Sequence, residues 1–347
     1  MTSESTLIIK KRRHSNTSFL AFFCGLVIVY FLTDFINTDY FHYYETINKL
    51  DYYHLERVSL EKYYTWILPY INFNYIIFRL FVWGPAFLLF IITIKRFNLP
   101  ILTCLFFFSV CYLDYFAYSR ASLAMTIYFF AISFICRPFF NKWLSLLISV
   151  AIISQIMLFH KSAILMVIAS SFLLIPINKK TIIASVFVFP IIVMIASSFF
   201  NDIVGTTFFD EDIINSKLES YANTVDVRGL AKNILQPVKF SSFYITFAVV
   251  TKAFFFNKNI VVKKEWELLY KVTYGLMIIA TSFLFLDLKT LVFFYRALFM
   301  VYIPLSILIT IAVTERIIAR KTFLIVLTFG FISHFVPMLY ALYCSAN

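Results

Sequence analysis

The sequence predicts an all-α, multi-pass membrane protein, and three observations carry that prediction. Of 347 residues, 61% are hydrophobic and only 14% charged, with a mean hydropathy of +0.85; a water-soluble domain needs about 25% charged residues to cover its surface. Apolar stretches of spanning length recur along the chain without a soluble break between them. Lys and Arg collect in short tracts between those stretches, as topology signals do.

Taken in order, the apolar stretches predict about eleven spans, at 19–36, 74–94, 99–117, 121–136, 143–159, 163–177, 181–200, 241–256, 268–286, 291–313 and 323–343. The short pair 121–136 and 163–177 is compatible with a tilted or re-entrant path as well as with a full crossing. Two long extracytoplasmic loops, about 37–73 and 201–240, interrupt an otherwise tight series, so the chain reads as one membrane domain over residues 1–347. The tracts Lys10–Arg13, Lys95 and Arg96, Arg137 and Lys142, Lys179 and Lys180, Lys252, Lys258, Lys263 and Lys264, and Arg316, Arg320 and Lys321 fall on one side of that series. They predict a cytoplasmic N-terminus and, with an odd number of spans, a C-terminus outside the cytoplasmic membrane. No small-residue cleavage site follows the first stretch, which ends TDFINTDY, so an uncleaved first helix is expected.

Composition also excludes classes. The net charge of +12 and pI near 9.4 are those of many nucleic-acid binders, but here the charge is the topology signal itself, and no nucleic-acid partner is expected. Cys24, Cys104, Cys111, Cys136 and Cys344 lie in or beside apolar runs with neither a CxxC pair nor a disulfide-like spacing, and read as buried hydrophobes. The phosphate-binding, dinucleotide, zinc-protease and serine-hydrolase signatures are missing. The five histidines are too scattered for a metal site, and no cofactor is expected.

An ionisable side chain at the centre of a span costs roughly 2.5–3.5 kcal/mol on insertion scales, so each one needs a reason. Four stand out: Arg79 about five residues into the second span, Arg120 at the junction of the third and fourth, His160 at the end of the fifth, and Arg296 about five residues into the tenth. Five residues is about 7–8 Å of depth, so the predicted topology puts all four in the outer half of the membrane, where one outward-facing cavity would collect them. The plainer readings are snorkelling of Arg79 to the interface, an interfacial His160, and an ion pair of Arg120 with Asp114 one turn earlier. The first outer loop adds many Tyr and the carboxylates Asp39, Glu45, Asp51, Glu56 and Glu61. Its aromatics serve as interfacial anchors or as faces for sugar rings, and a carboxylate near a hydroxyl can act as general base.

These elements together resemble the EpsG family of Wzy-type polysaccharide polymerases. The resemblance rests on Asp39 and Tyr40 near the start of a Tyr-rich outer loop and Glu61, Tyr63 and Tyr64 near its end. Arg120 then precedes Leu123 and Ala124, a span ends in Phe159, His160, Ser162 and Ala163, and Tyr295 and Arg296 come late. Ala121 stands where the family has a glutamine after its helix-starting arginine. The resemblance implies a glycosyltransferase-C-like fold and a glycosyltransferase that polymerises oligosaccharide repeats carried on undecaprenyl pyrophosphate. Its implied partners are those lipid-linked oligosaccharides, membrane lipids, a chain-length regulator and a flippase, and its products are capsule, O-antigen or exopolysaccharide. In that setting Arg120 and Arg296, with Arg79 as a third, would bind the diphosphate, because a guanidinium stays ionised and pairs bidentately with phosphate oxygens. His160 would donate to the diphosphate or move a proton, and Asp39 or Glu61 would take the proton of the attacking hydroxyl. Three other activities share much of this composition: a flippase or transporter of lipid-linked glycan, a glycan ligase, and a membrane acyltransferase. A transporter would carry matching charges in the cytoplasmic half and an internal repeat, which the sequence does not display.

Overall fold

A computed structural model of the chain describes Ile47 and residues 62–116, 119–185, 188, 229–257, 260–284 and 297–346. All regular structure among the described residues is helical. The helices are α1 (Lys62–Ile67), α2 (Tyr75–Arg96), α3 (Ile101–Phe116), α4 (Ser119–Cys136), α5 (Lys142–Ser154), α6 (Ile164–Ser170), α7 (Gly229–Phe255), α8 (Lys264–Leu284), α9 (Tyr302–Thr314) and α10 (Arg320–Ala346). Two described helices, Tyr75–Arg96 and Ala297–Thr314, are long and apolar enough to cross a membrane.

Several helix ends follow from local side chains. Asn74 caps α2, its Oδ1 accepting from the Ile77 amide at 3.1 Å, and Asn141 caps α5 by accepting from Leu144 at 2.7 Å; such caps contribute about 1 kcal/mol each. Helix α2 stops at Asn98, whose φ of 55° is left-handed, while the Leu99 amide reaches back to the Ile94 carbonyl at 3.3 Å. That is a Schellman ending with asparagine in the place glycine usually takes.

The short predicted span 163–177 contains little continuous α-helix. It consists of a 3-10 turn (Lys161–Ala163), the seven-residue α6 and a second 3-10 turn (Ser171–Leu174). Ile175 is extended at φ −85°, ψ 128°, because Pro176 disfavours α geometry in the residue before it. The stretch predicted as 143–159 likewise breaks after Ser154 into a 3-10 turn at Ile156–Leu158. Helix α7 begins at Gly229, inside the predicted second outer loop, so the end of that loop is helical. The described end of the first outer loop is helical as well, in α1 and the 3-10 turn Leu68–Ile71.

The polarity of the packing is that of a membrane protein. Large apolar side chains face outward, including Ile76, Leu80, Phe81 and Leu88 on α2 and Trp143, Leu147 and Val150 on α5. Small hydroxyl residues lie inside: Ser122, Thr126, Ser133, Ser145 and Ser149 are all buried. The Ser149 hydroxyl donates to the Ala131 carbonyl at 2.8 Å, linking α5 to α4. Small and hydroxylated residues at helix contacts allow close approach and supply hydrogen bonds where burying apolar surface against lipid gains little.

The chain divides into two compact units, Met1–Ala163 with Ile309–Glu315, and Ile164–Leu308 with Arg316–Asn347. In the first, α2 and α4 form the most extensive described helix pair, with α3 and α5 beside it. In the second, α7 runs antiparallel to α8. Tyr244 meets Thr281 at 3.0 Å, Thr251 meets the Tyr270 hydroxyl at 2.8 Å, and Phe247 stacks on Tyr270 at 5.5 Å. Helix α10 packs along α7, where His334 Nε2 lies 3.0 Å from the Ser242 hydroxyl. Lys271, though largely buried, pairs with Glu267 one turn earlier at 3.0 Å. Of the cysteines, Cys104, Cys111 and Cys136 are free and buried, as expected.

Helix α8 meets α6 and the turn after it at Gly275. A Cβ there would stand 2.6 Å from Phe172 Cδ2 and 3.1 Å from the Ala169 carbonyl oxygen. Replacing a mid-helix glycine by alanine ordinarily gains up to about 1 kcal/mol. Gly275→Ala should instead lower the unfolding temperature in detergent, by the equivalent of about 1–3 kcal/mol of overpacking. Adding Phe172→Leu should recover part of the loss, since the ring is the nearer obstacle. Equal or greater stability of Gly275→Ala alone would show that the contact is not tight.

Candidate functional site

In the first unit, α2 and α4 lie parallel with their ends in register. At one end Arg96 Nε donates to Ser133 Oγ at 2.7 Å, and its terminal nitrogen donates to the carbonyls of Ser133, at 3.2 Å, and of Arg137. Arg137 returns the bond by donating to the Arg96 carbonyl. Arg96 thus satisfies the carbonyl of Arg137, just past the end of α4, and Arg137 that of Arg96, at the end of α2, while the Ser133 carbonyl accepts both Arg96 and the Arg137 amide; positive charge suits a helix C-terminus. The Arg96 guanidinium also stacks 4.1 Å over the Phe134 ring.

At the opposite end Tyr64, from α1, joins the same two helices. Its ring packs edge-on against Phe78 of α2 with 5.5 Å between centroids, and its hydroxyl donates to the Arg120 carbonyl of α4 at 3.3 Å. The hydrogen bond is long, but it fixes position: Arg79, next to Phe78, and Arg120 stand at the same level of the α2/α4 pair. Arg79 is buried at 2% relative exposure instead of snorkelling outward. Its guanidinium lies 4.5 Å over the Trp83 ring and 5.8 Å from the Tyr75 ring, one turn away on either side. Cation–π attraction of this kind offsets part of the cost of burying the charge. Arg120, the second residue of α4, is half-buried.

Tyr63 brings in the third segment. Its ring packs on Phe159 at 4.6 Å and on Tyr64 at 5.3 Å. Burial raises the Tyr63 hydroxyl above its usual pKa of 10.0, so it stays a neutral donor. Phe159 leads into His160, which sits between the 3-10 turns Ile156–Leu158 and Lys161–Ala163, both packed on α4. His160 Nδ1 receives the Ser162 amide at 3.2 Å and lies 2.5 Å from the Ser162 hydroxyl. An amide N–H only donates, so Nδ1 is the acceptor and the neutral ring carries its hydrogen on Nε2. The turn therefore sets His160 up as an Nε2–H donor.

Three segments remote in sequence, the Tyr63–Tyr64 pair, Arg120 and the Phe159–Ser162 turn, are thus joined within one unit, with Arg79 level with Arg120. Asp39, Glu61 and Arg296 lie outside the described residues, as does the side chain of Asp114. Sequence reasoning missed the Arg96–Arg137 clamp and took both residues for topology charges. The available signal was their position, each at or just past the end of a predicted span running in the same direction.

Comparisons with known proteins bear on the family alone. No curated protein and no solved structure matches the chain. The model of the EpsG family matches residues 7–347, nearly the whole chain. The segments carrying the early resemblance, from the Tyr-rich loop through Arg120 to the His160 turn, all fall inside the match, and the protein belongs to the EpsG family of Wzy-like polysaccharide polymerases.

Proposed function

We propose that this polymerase joins oligosaccharide repeat units carried on undecaprenyl pyrophosphate at the outer face of the cytoplasmic membrane. In this reading about eleven spans form a single glycosyltransferase-C-like membrane domain, N-terminus in and C-terminus out. A hydroxyl of the acceptor repeat attacks the anomeric carbon of the donor glycan. The new glycosidic C–O bond forms as the bond from that carbon to the pyrophosphate oxygen breaks, and undecaprenyl pyrophosphate departs with the electron pair. Asp39 or Glu61 takes the hydroxyl proton.

The observation that supports this reading best is the union of Arg120, the His160 turn and the Tyr63–Tyr64 pair in one unit. Negative charge grows on the diphosphate as it leaves, and preorganised donors and cations aimed at that charge are the largest source of acceleration in such sites. Arg120 and Arg296 clamp the diphosphate, and His160 donates to it through Nε2–H. Arg79 supplies a third positive charge: stacking on Trp83 and Tyr75 engages the face of its guanidinium, and anions bind at the edge. Tyr63 and Tyr64 hold the Arg120 end of α4 and the His160 turn in place.

The test is the size distribution of surface glycan from cells lacking the protein, complemented with wild type or variants expressed at equal level. Wild type should restore a ladder. Arg120→Ala should yield single repeats, because losing one such donor costs on the order of 10²–10³ in turnover. A deletion strain whose ladder is unchanged but which accumulates lipid intermediates on the cytoplasmic face would assign the protein to transport instead.

His160 and Ser162 give a second, graded expectation. His160→Ala should shorten the ladder severely. Ser162→Ala should slow polymerisation by about tenfold at most, the worth of one hydrogen bond, since the Ser162 amide still reaches Nδ1. In vitro extension of a lipid-linked repeat by the purified variants measures both, and a Ser162→Ala defect as deep as His160→Ala would mean that the serine acts on substrate directly.

A further inference from the structure

Two lysines beside the candidate site stand outside the roles assigned so far. Lys62 opens α1, and Lys161 opens the 3-10 turn that follows His160. Tyr63, next to Lys62, packs its ring on Phe159, two residues before Lys161. The contact that joins α1 to the His160 turn therefore also brings the two lysine-bearing segments together. Both lysines are exposed, and among the described residues neither ammonium has an ion-pair or hydrogen-bond partner.

Their depth calls for a reason. The Tyr64 ring lies against Phe78, and the Tyr63 hydroxyl donates to the Phe81 carbonyl at 3.4 Å. Helix α1 thus begins beside residues 78–81 of α2, roughly 5–9 Å along that helix from its first residue. Ionisable side chains at such depth face a polar cavity or a polar partner. The charged side chains described at this end of the α2/α4 pair, Arg79, Arg120, Lys62 and Lys161, are all positive, and they are graded in exposure: Arg79 is buried, Arg120 half-buried and the two lysines exposed. A diphosphate held at the level of the arginines leaves the level of the lysines for the part of the substrate attached to it, the glycan. A surface lined by one sign of charge concentrates ligands of the other.

We propose that Lys62 and Lys161 bind the glycan side of the substrate, and that the repeat unit is acidic, with a carboxylate or phosphate on its sugars. The inference rests on the polymerase reading and narrows its substrate class. An ammonium is a compact charge on a flexible stem, suited to an acid group whose position differs between donor and acceptor repeats. The deeper guanidinium groups hold a diphosphate in fixed geometry.

The test starts from the surface polymer that wild-type cells make and a strain lacking the protein does not. Acid groups in every repeat of that polymer are expected; a neutral polymer would overturn the inference and leave the polymerase reading intact. A deletion strain that loses no polymer would remove the polymerase reading, and this inference with it. Purified full-length protein is then assayed for extension of the strain's own lipid-linked repeat in phosphatidylcholine nanodiscs. Lys62→Gln combined with Lys161→Gln should raise KM about tenfold, each exposed pair contributing up to about fivefold, with kcat within about twofold. The same pair should flatten the rise of KM with salt. Lys62→Arg combined with Lys161→Arg should keep KM near wild type, and Lys180→Gln, at an exposed position of the second unit, should not change it. An unchanged KM in the glutamine pair would overturn the role of the lysines, and a fall in kcat at unchanged KM would move them to the departing diphosphate. A defect that appears only when the nanodiscs contain phosphatidylglycerol would assign them to lipid headgroups. Unfolding temperatures of the variants, measured in parallel, separate lost binding from lost fold.

Discussion

The parallel register of α2 and α4 is the constraint on which the rest of the described site depends. Two consecutive out-and-back helices leave α2 and α4 pointing the same way, and sliding one past the other by a turn would move Arg120 about 5 Å from the level of Arg79. The Arg96–Arg137 exchange resists that slide, because each guanidinium is bonded to the carbonyl end of the other helix. Tyr64 fixes the opposite end through Phe78 and the Arg120 carbonyl. In a membrane, where no water would replace a lost partner, open helix-end carbonyls must find donors within the protein. The clamp therefore serves helix termination and site geometry with the same two side chains.

Charge is arranged to match. Arg79 is buried with two aromatic rings of its own helix against its cation, which offset part of the cost of that burial. His160 is organised by a short turn and not by a partner helix. The amide two residues on selects its tautomer, which ties the direction of its donated hydrogen to local backbone geometry. The break after Ser154 belongs to the same design. It ends α5 short of His160, and the 3-10 turns Ile156–Leu158 and Lys161–Ala163 let a polar turn sit against α4.

Much of this was legible in the residues alone. Apolar periodicity and length placed α2, α3 and α4 to within a few residues, and the cost of burying charge marked Arg79, Arg120 and His160 as residues needing a reason. The order of short segments, Tyr63–Tyr64, Arg120, then Phe159–Ser162, carried the family resemblance that the family match bears out. Less legible was the extent of helix where polar residues dilute the apolar signal: α7 starts at Gly229 amid charged residues that read as loop. The stretch 163–177 was apolar enough to span, yet its regular helix is only Ile164–Ser170, because hydropathy measures solvent preference and not backbone geometry.

What the sequence by itself determined was the class of environment and which residues are unusual in it, since both follow from counting apolar positions along one chain. Tertiary structure alone decided which of those residues meet. A long guanidinium reaches any acceptor within about 7 Å of its helix, and nothing in linear spacing says that Arg96 caps the helix of Arg137 or that Tyr64 bridges to Arg120. Those choices rest on helix direction and register, which depend on packing summed over whole helix faces.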